Sequence, residues 1–223
     1  MDEPNTEQKW KPIGRELRRV AGVLIEKAKT TPDIYPMTIN AIMTASNQKS
    51  NRSPQMQLTH DDVDDALEEL RQMGAVVEIQ GDGRKSKYKH LLYEWLGVSK
   101  VEIAVMAELL LRGQQTLGEL RARASRMEKI EGLSELKPII KDLVRRGLMI
   151  ELTPEGRGQI VTHGLYMPEE LAKLEKMVDA GEVASPAALP SAATPSNEMA
   201  GRVDELEKKL AELAARVEQL EQA

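Results

Sequence analysis

The stretch LEELRQMGAVVEIQGDGRKSKYKHLLY, Leu67 to Tyr93, occurs in this chain in two copies. Slid forward by 73 positions without a gap, so that Leu67 falls on Ile140, it meets IKDLVRRGLMIELTPEGRGQIVTHGLY, which ends at Tyr166. Leu70, Gly74, Glu78, Gly83, Arg84, His90, Leu92 and Tyr93 land on Leu143, Gly147, Glu151, Gly156, Arg157, His163, Leu165 and Tyr166, and most other apolar positions match in kind. Solenoid repeats run to roughly 20 to 50 residues, so a longer period reads as two copies of one small domain.

Each copy predicts a helix followed by a hairpin. In the first, Val63, Ala66, Leu67 and Leu70 recur at helical spacing, with Thr59 placed to cap the start and Gly74 the end. The period then changes to two. Ala75, Val77 and Ile79 alternate with Val76, Glu78 and Gln80; Gly81, Asp82 and Gly83 supply a turn, and Tyr88, His90 and Leu92 alternate with Lys87, Lys89 and Leu91. With the helices upstream of each copy the order becomes helix, helix, helix, hairpin. That is the order of a winged helix, whose third helix usually enters a DNA groove and whose hairpin is the wing. The expected fold is therefore mainly α with small β-hairpins: a polar, disordered stretch over 1–12, winged helices over 13–96 and 97–166, an amphipathic helix over 167–181, an Ala/Pro/Ser linker over 182–200 and a coiled-coil helix over 201–223.

Upstream of the first copy, Leu17, Val20, Ala21, Leu24, Ile25 and Ala28 give a helix with one buried stripe, stopped by the two prolines of TTPDIYP, Thr30 to Pro36. Thr38 caps a second helix, and the polar segment NQKSNRSP, Asn47 to Pro54, leads to the third. In the second half, Ser99 with Glu102 forms a capping box, Thr116 caps the next helix, and a third helix starts near Ser134 with Pro138 placed in its first turn. The runs Leu24 to Met56 and Leu109 to Met127 together resemble the YceH-like family of bacterial proteins. The resemblance covers roughly residues 13–166; it implies a tandem winged-helix fold and no established activity. Ser46 departs from the Cys, and Leu117 from the Pro, that the family pattern implies at those places.

Composition narrows the chemistry. The 223 residues include no Cys and no Phe, which excludes thiol nucleophiles, thiolate metal sites and disulfides and leaves the cores to Leu, Ile, Val, Ala and Met. No apolar run approaches the roughly 20 residues needed to span a bilayer, and the N-terminus has no apolar leader, so a soluble cytoplasmic protein without membrane contact is expected. The net charge of −5 confines any attraction to nucleic acid to local patches.

Three features carry candidate chemistry. The acids Asp61, Asp62, Asp64, Asp65, Glu68 and Glu69 fall on the third helix of the first half, without the glycine turn of a calcium loop, and read as a solvated face that would repel phosphates. Arg84, Lys85, Lys87 and Lys89 in the first wing, with Lys49 and Arg52 in NQKSNRSP, suit phosphate oxygens; equally, the polar side chains of that segment suit tying down a long loop. Arg121, Arg123, Arg126, Arg145 and Arg146 give the second half a basic surface. His90 and His163 occupy equivalent strand positions and read as packing residues. No metal, cofactor or catalytic constellation is expected. The leading reading is a non-enzymatic protein associated with duplex DNA or regulation, and its competitor is a protein-interaction scaffold similar in kind to bacterial segregation and condensation proteins.

The C-terminal heptads place Val203, Leu210 and Val217 at a and Leu206, Leu213 and Leu220 at d, a pattern that favours two parallel strands. Three heptads are marginal alone, so association should be weak and concentration-dependent. Sedimentation of the full chain should give a dimer that Leu206→Asp with Leu213→Asp dissociates; a monomer in both would remove the coiled coil as an interface.

Overall fold

The computed structural model describes residues 9–80, 86–180 and 183. The order of elements is α1 (Arg15–Thr30), a 3-10 turn (Pro32–Ile34), α2 (Ile39–Ser46), α3 (His60–Gln72), β1 (Val76–Gln80), β2 (Ser86–His90), α4 (Leu92–Leu96), α5 (Lys100–Arg112), β3 (Gln115–Thr116), α6 (Leu117–Ala124), α7 (Leu133–Arg145), β4 (Met149–Glu151), β5 (Ile160–His163) and α8 (Pro168–Asp179). The fold is mainly helical with two small antiparallel sheets. Arg84, Lys85, the heptad residues and, apart from Val183, the linker lie outside the described residues.

The duplication is carried into the backbone. Val76 pairs with His90 and Met149 with His163; Glu78 pairs with Tyr88 and Glu151 with Val161. In the second half β3 adds a third strand through Gln115 opposite Val161, and in the first a single bridge of Met37 to Tyr88 does the same. Gly74 and Gly147 each turn the chain from third helix into hairpin at φ near +72° and +71°, where a Cβ would be strained.

Local sequence explains the helix starts. Thr59 with Asp62, Ser99 with Glu102 and Thr116 with Glu119 form reciprocal capping boxes, and Thr38 accepts from the Ala41 N–H. Three expectations change. The strand expected through Leu92 ends at His90, because Leu92 begins α4, whose Leu92, Trp95 and Leu96 enter the core. Pro138 lies inside α7 rather than in its first turn, on the exposed side, where the Ser134 carbonyl that loses its partner can meet water. And α1 is buried around its whole circumference from Leu17 to Glu26 rather than along one stripe.

That last difference follows from packing. α1 lies against α2 and α3 on one side and α5 on the other, so one apolar cluster runs from Ile13 through both halves to Leu165. The approach of α1 to α5 is close at Gly22, where a Cβ would stand 2.9 Å from Leu111 Cγ and 3.2 Å from Leu110 Cβ. A second close approach holds the second hairpin: a Cβ on Gly164 would come within 1.9 Å of the Gly147 carbonyl oxygen. Gly164→Ala should therefore destabilise by about 3 kcal/mol or more, since backbone rather than a side chain must yield, and Gly22→Ala by about 1–3 kcal/mol. Gly118→Ala, exposed on α6 with open space around it, should be neutral or stabilising. Urea unfolding of the three variants tests the ranking, and an unaffected Gly164→Ala would contradict it.

Candidate functional site

Arg52, expected to meet phosphate, lies instead in the interior. Its side chain is wholly buried, with Nη2 2.6 Å and Nη1 3.2 Å from the two carboxylate oxygens of Glu26 on α1, while Nε donates to the Ala45 carbonyl at 3.0 Å and Nη1 to that of Asn51 at 2.8 Å. Burial raises the Glu26 pKa, but the hydrogen bonds and charge of Arg52, helped by Lys27, outweigh it and hold the carboxyl below its usual range. A guanidinium so committed is not presented to phosphate. The rest of NQKSNRSP is tied down similarly: Asn47 donates to the Leu58 carbonyl and accepts from its N–H, both at 2.8 Å, Gln55 donates to the Lys49 carbonyl, and Arg112 donates to the Asn51 side chain. Lys49 itself is exposed.

The basic surface of the second half is largely spent within the protein. Glu108, in the middle of the apolar run of α5, is buried; Arg126 donates to its Oε1 at 3.2 Å, and Arg112 Nε lies 3.2 Å from its Oε2 as an ion pair without hydrogen-bond geometry. Arg123 donates to the buried Gln115 side chain at 2.6 Å and lies 3.7 Å from Glu119. Arg146 is a bracket between elements, donating to the Leu96 and Gly97 carbonyls at 2.8 and 2.6 Å and to Glu102 and Asp142 at 3.3 and 3.2 Å. Arg121 donates to the Ile130 carbonyl at 3.4 Å. Arg123 and Arg146 were expected on an open basic face; the buried or backbone acceptors left by helix ends claim them instead.

Two outward faces remain. On α3 the residues His60, Asp61, Asp62, Asp64, Asp65, Glu68 and Glu69 are exposed and Arg71 pairs with Glu68, so the face is acidic as expected. On α7, at the equivalent place, Lys137, Lys141 and Arg145 are exposed; Lys137 and Lys141 pair with Glu155, and Arg145 with Asp142. Lys87 and Lys89 project from the solvent face of the first hairpin opposite Ile79 and Val77.

The histidines share an arrangement that the sequence only outlined. His90 stacks near Tyr93 and Tyr35, and Lys29 of α1 stands 5.9 Å over the Tyr93 ring; His163 stacks on Tyr166 at 4.0 Å, and Arg18 of α1 stands 5.0 Å over that ring. Burial, with Lys89 and Lys29 adding repulsion, pulls His90 down to about 4; burial and Arg18 hold His163 well below the usual histidine range. Among the described residues no cluster of His, Asp and Glu could hold a metal ion, and no helix is long and apolar enough to cross a membrane.

Together these features define a class: a duplicated, mainly helical domain with small antiparallel hairpins, internal charge pairs and two outward helix faces of unlike charge. The chain belongs to the family described as proteins of unknown function, DUF480, whose model matches residues 14–158, that is, from α1 to the second hairpin. It is 54% identical over 166 residues to a UPF0502 protein of Rhodopirellula baltica, covering 74% of this chain and 70% of that one. A UPF0502 protein of Xanthomonas campestris is 38% identical over 195 residues, covering 87% and 86%, and one of Pelobacter propionicus 49% identical over 129 residues, covering 58% and 59%.

The buried imidazoles make stability depend on pH with a definite sign. Because their folded values lie below the ordinary 6.5, the folded state binds fewer protons, so their contribution is complete above pH 6.5 and is lost as pH falls, for His90 down to about 4. His90 alone should cost about 2 kcal/mol between pH 7 and pH 5. Urea unfolding at the two pH values should show His90→Gln reducing the difference by about that amount; an unchanged difference would place the titration elsewhere.

Proposed function

We propose that this is a non-enzymatic tandem winged-helix protein that acts as a protein-interaction scaffold, its copies held together by the C-terminal heptads. The order of three helices and a hairpin in each half, with a third short strand or bridge against the hairpin, supports the winged-helix assignment. One observation carries the scaffold reading over DNA binding: the helix that a DNA-reading winged helix would lay in the groove is, in the first half, a continuous acidic face, which a phosphate backbone repels. The fixed roles of Arg52, Arg123 and Arg146 remove cations from the rival reading.

A second reading, duplex DNA bound through the second half, draws on Lys137, Lys141 and Arg145 on α7. Glu155, the partner of both lysines, is exposed, and ion pairs at the surface are weak, so phosphates could displace it, whereas half-buried Asp142 is also held by Arg146. Fluorescence anisotropy with a labelled duplex separates the two. The scaffold reading expects no saturable binding at low salt, and a photoreactive side chain at position 65 that traps a protein partner in cells unless Asp61 and Asp64 are changed to Lys. Tight binding whose log K falls against log salt with a slope near −3, lost on changing Lys137, Lys141 and Arg145 to Glu, would overturn it in favour of DNA.

A further inference from the structure

α1 sends three arginines, Arg15, Arg18 and Arg19, toward the junction of the two halves, where they line a cavity of about 180 Å³ with Ser53, His163 and Tyr166. Their charges are handled differently. Arg18 is satisfied, with Nη1 and Nη2 2.7 and 2.6 Å from the two oxygens of Glu170 and Nη1 2.6 Å from the Ile13 carbonyl. Arg15 is the most open of the three, its side chain 56% exposed and 3.6 Å from Glu16, and its charge also acts on Glu170. Arg19 is the anomaly. It is 2% exposed, yet its acceptors are carbonyls alone: Ser46 at 3.0 Å, Pro54 at 2.7 Å and Leu111 at 3.4 Å.

A buried cation is ordinarily matched by an anion, because desolvation leaves its charge uncompensated. Among the described residues no carboxylate pairs with Arg19, and Arg52 and Arg15 nearby add like charge. Among the described residues the buried Arg19 Nε also has no hydrogen-bond partner. Glu170, the acid in the lining, is already taken by Arg18. The site is thus a small, cationic cavity whose Arg19 has carbonyls but no carboxylate for partners, and Met56 and Leu110 give it an apolar side.

We propose that this cavity binds a small oxyanion, a phosphate or carboxylate group on a compact molecule, with Arg19 within and Arg15 at the mouth as its cationic groups. The planar guanidinium fork matches both chemistries, and the volume admits the anionic group with a short apolar portion. The site joins α1, the loop ending in Pro54, α5 and the second hairpin, so its occupation would brace residues from both halves.

The test uses the full chain, with inorganic phosphate and butyrate titrated separately at an ionic strength held constant with potassium chloride. Thermal unfolding and the imidazole ¹H–¹⁵N signals of His163 are followed. A saturable rise in Tm with a matching His163 shift in either arm supports the site, and the arm that responds assigns phosphate or carboxylate. Arg15→Gln should leave the unliganded Tm unchanged and weaken the apparent affinity roughly tenfold, the loss of one charge-assisted hydrogen bond. Arg19→Met should abolish the response; should that variant fail to fold, Arg15→Gln decides alone. No saturable response in either arm, a response reproduced by chloride, or an affinity indifferent to Arg15→Gln would overturn the proposal.

Discussion

The close approach of α1 to α5 at Gly22 is the constraint from which most of the structure follows. Without a Cβ there, the two first helices of the repeat come together side by side, and α1 loses its solvent face. An amphipathic helix in an isolated small domain would keep its charges in water; here Arg18, Arg19 and Glu26 are carried into the interior. Each then has to be satisfied where it lies. Glu26 takes Arg52, Arg18 takes Glu170, and Arg19 takes carbonyls from the end of α2, from Pro54 and from the end of α5. The NQKSNRSP segment is thus fixed by a demand arising two helices away.

Such internal pairs say little about net stability, since desolvating both charges offsets their attraction, but removing one partner strands the other at about 3–5 kcal/mol. Their effect is on arrangement. Arg52 fits only when α1, the end of α2 and the loop are in register, and Arg146 only when α7 meets the turn between α4 and α5. The same logic assigns the two His–Tyr pairs: α1 places Lys29 over one tyrosine and Arg18 over the other, so a single helix serves both copies of the duplicated hairpin.

What the sequence disclosed was what local rules determine. The duplication shows as direct self-similarity, the caps at Thr38, Thr59, Ser99 and Thr116 and the positive-φ turns at Gly74 and Gly147 depend on neighbours within a few residues, and each is present. The fate of cations was not legible in that way. Arg52 and Lys49 look alike in a polar segment, but one is enclosed and the other exposed, because enclosure is decided by which helix lies opposite. A signal did exist: Glu108 interrupts the apolar run Ile103 to Leu111, and Arg18 and Arg19 sit beside Leu17, Val20 and Ala21, so charges at positions due for burial announced internal pairing. Lacking their counterparts by spacing, the pairs could not be drawn from the chain alone.

The copies diverge where the shared backbone makes no demand. Positions that the shared backbone requires are alike: the glycine after the third helix, the histidine opposite the first strand, and the tyrosine three residues on. On the outward face of the third helix the copies part, acidic in α3 and carrying Lys137, Lys141 and Arg145 in α7. Packing cannot account for that difference, because the faces point to water and the helices span equivalent residues, His60–Gln72 and Leu133–Arg145. Two readers of the same groove would be expected to present the same sign of charge. Opposite signs on equivalent helices instead fit the proposed scaffold, in which the duplicated fold would supply the mounting and each copy a surface for a different partner.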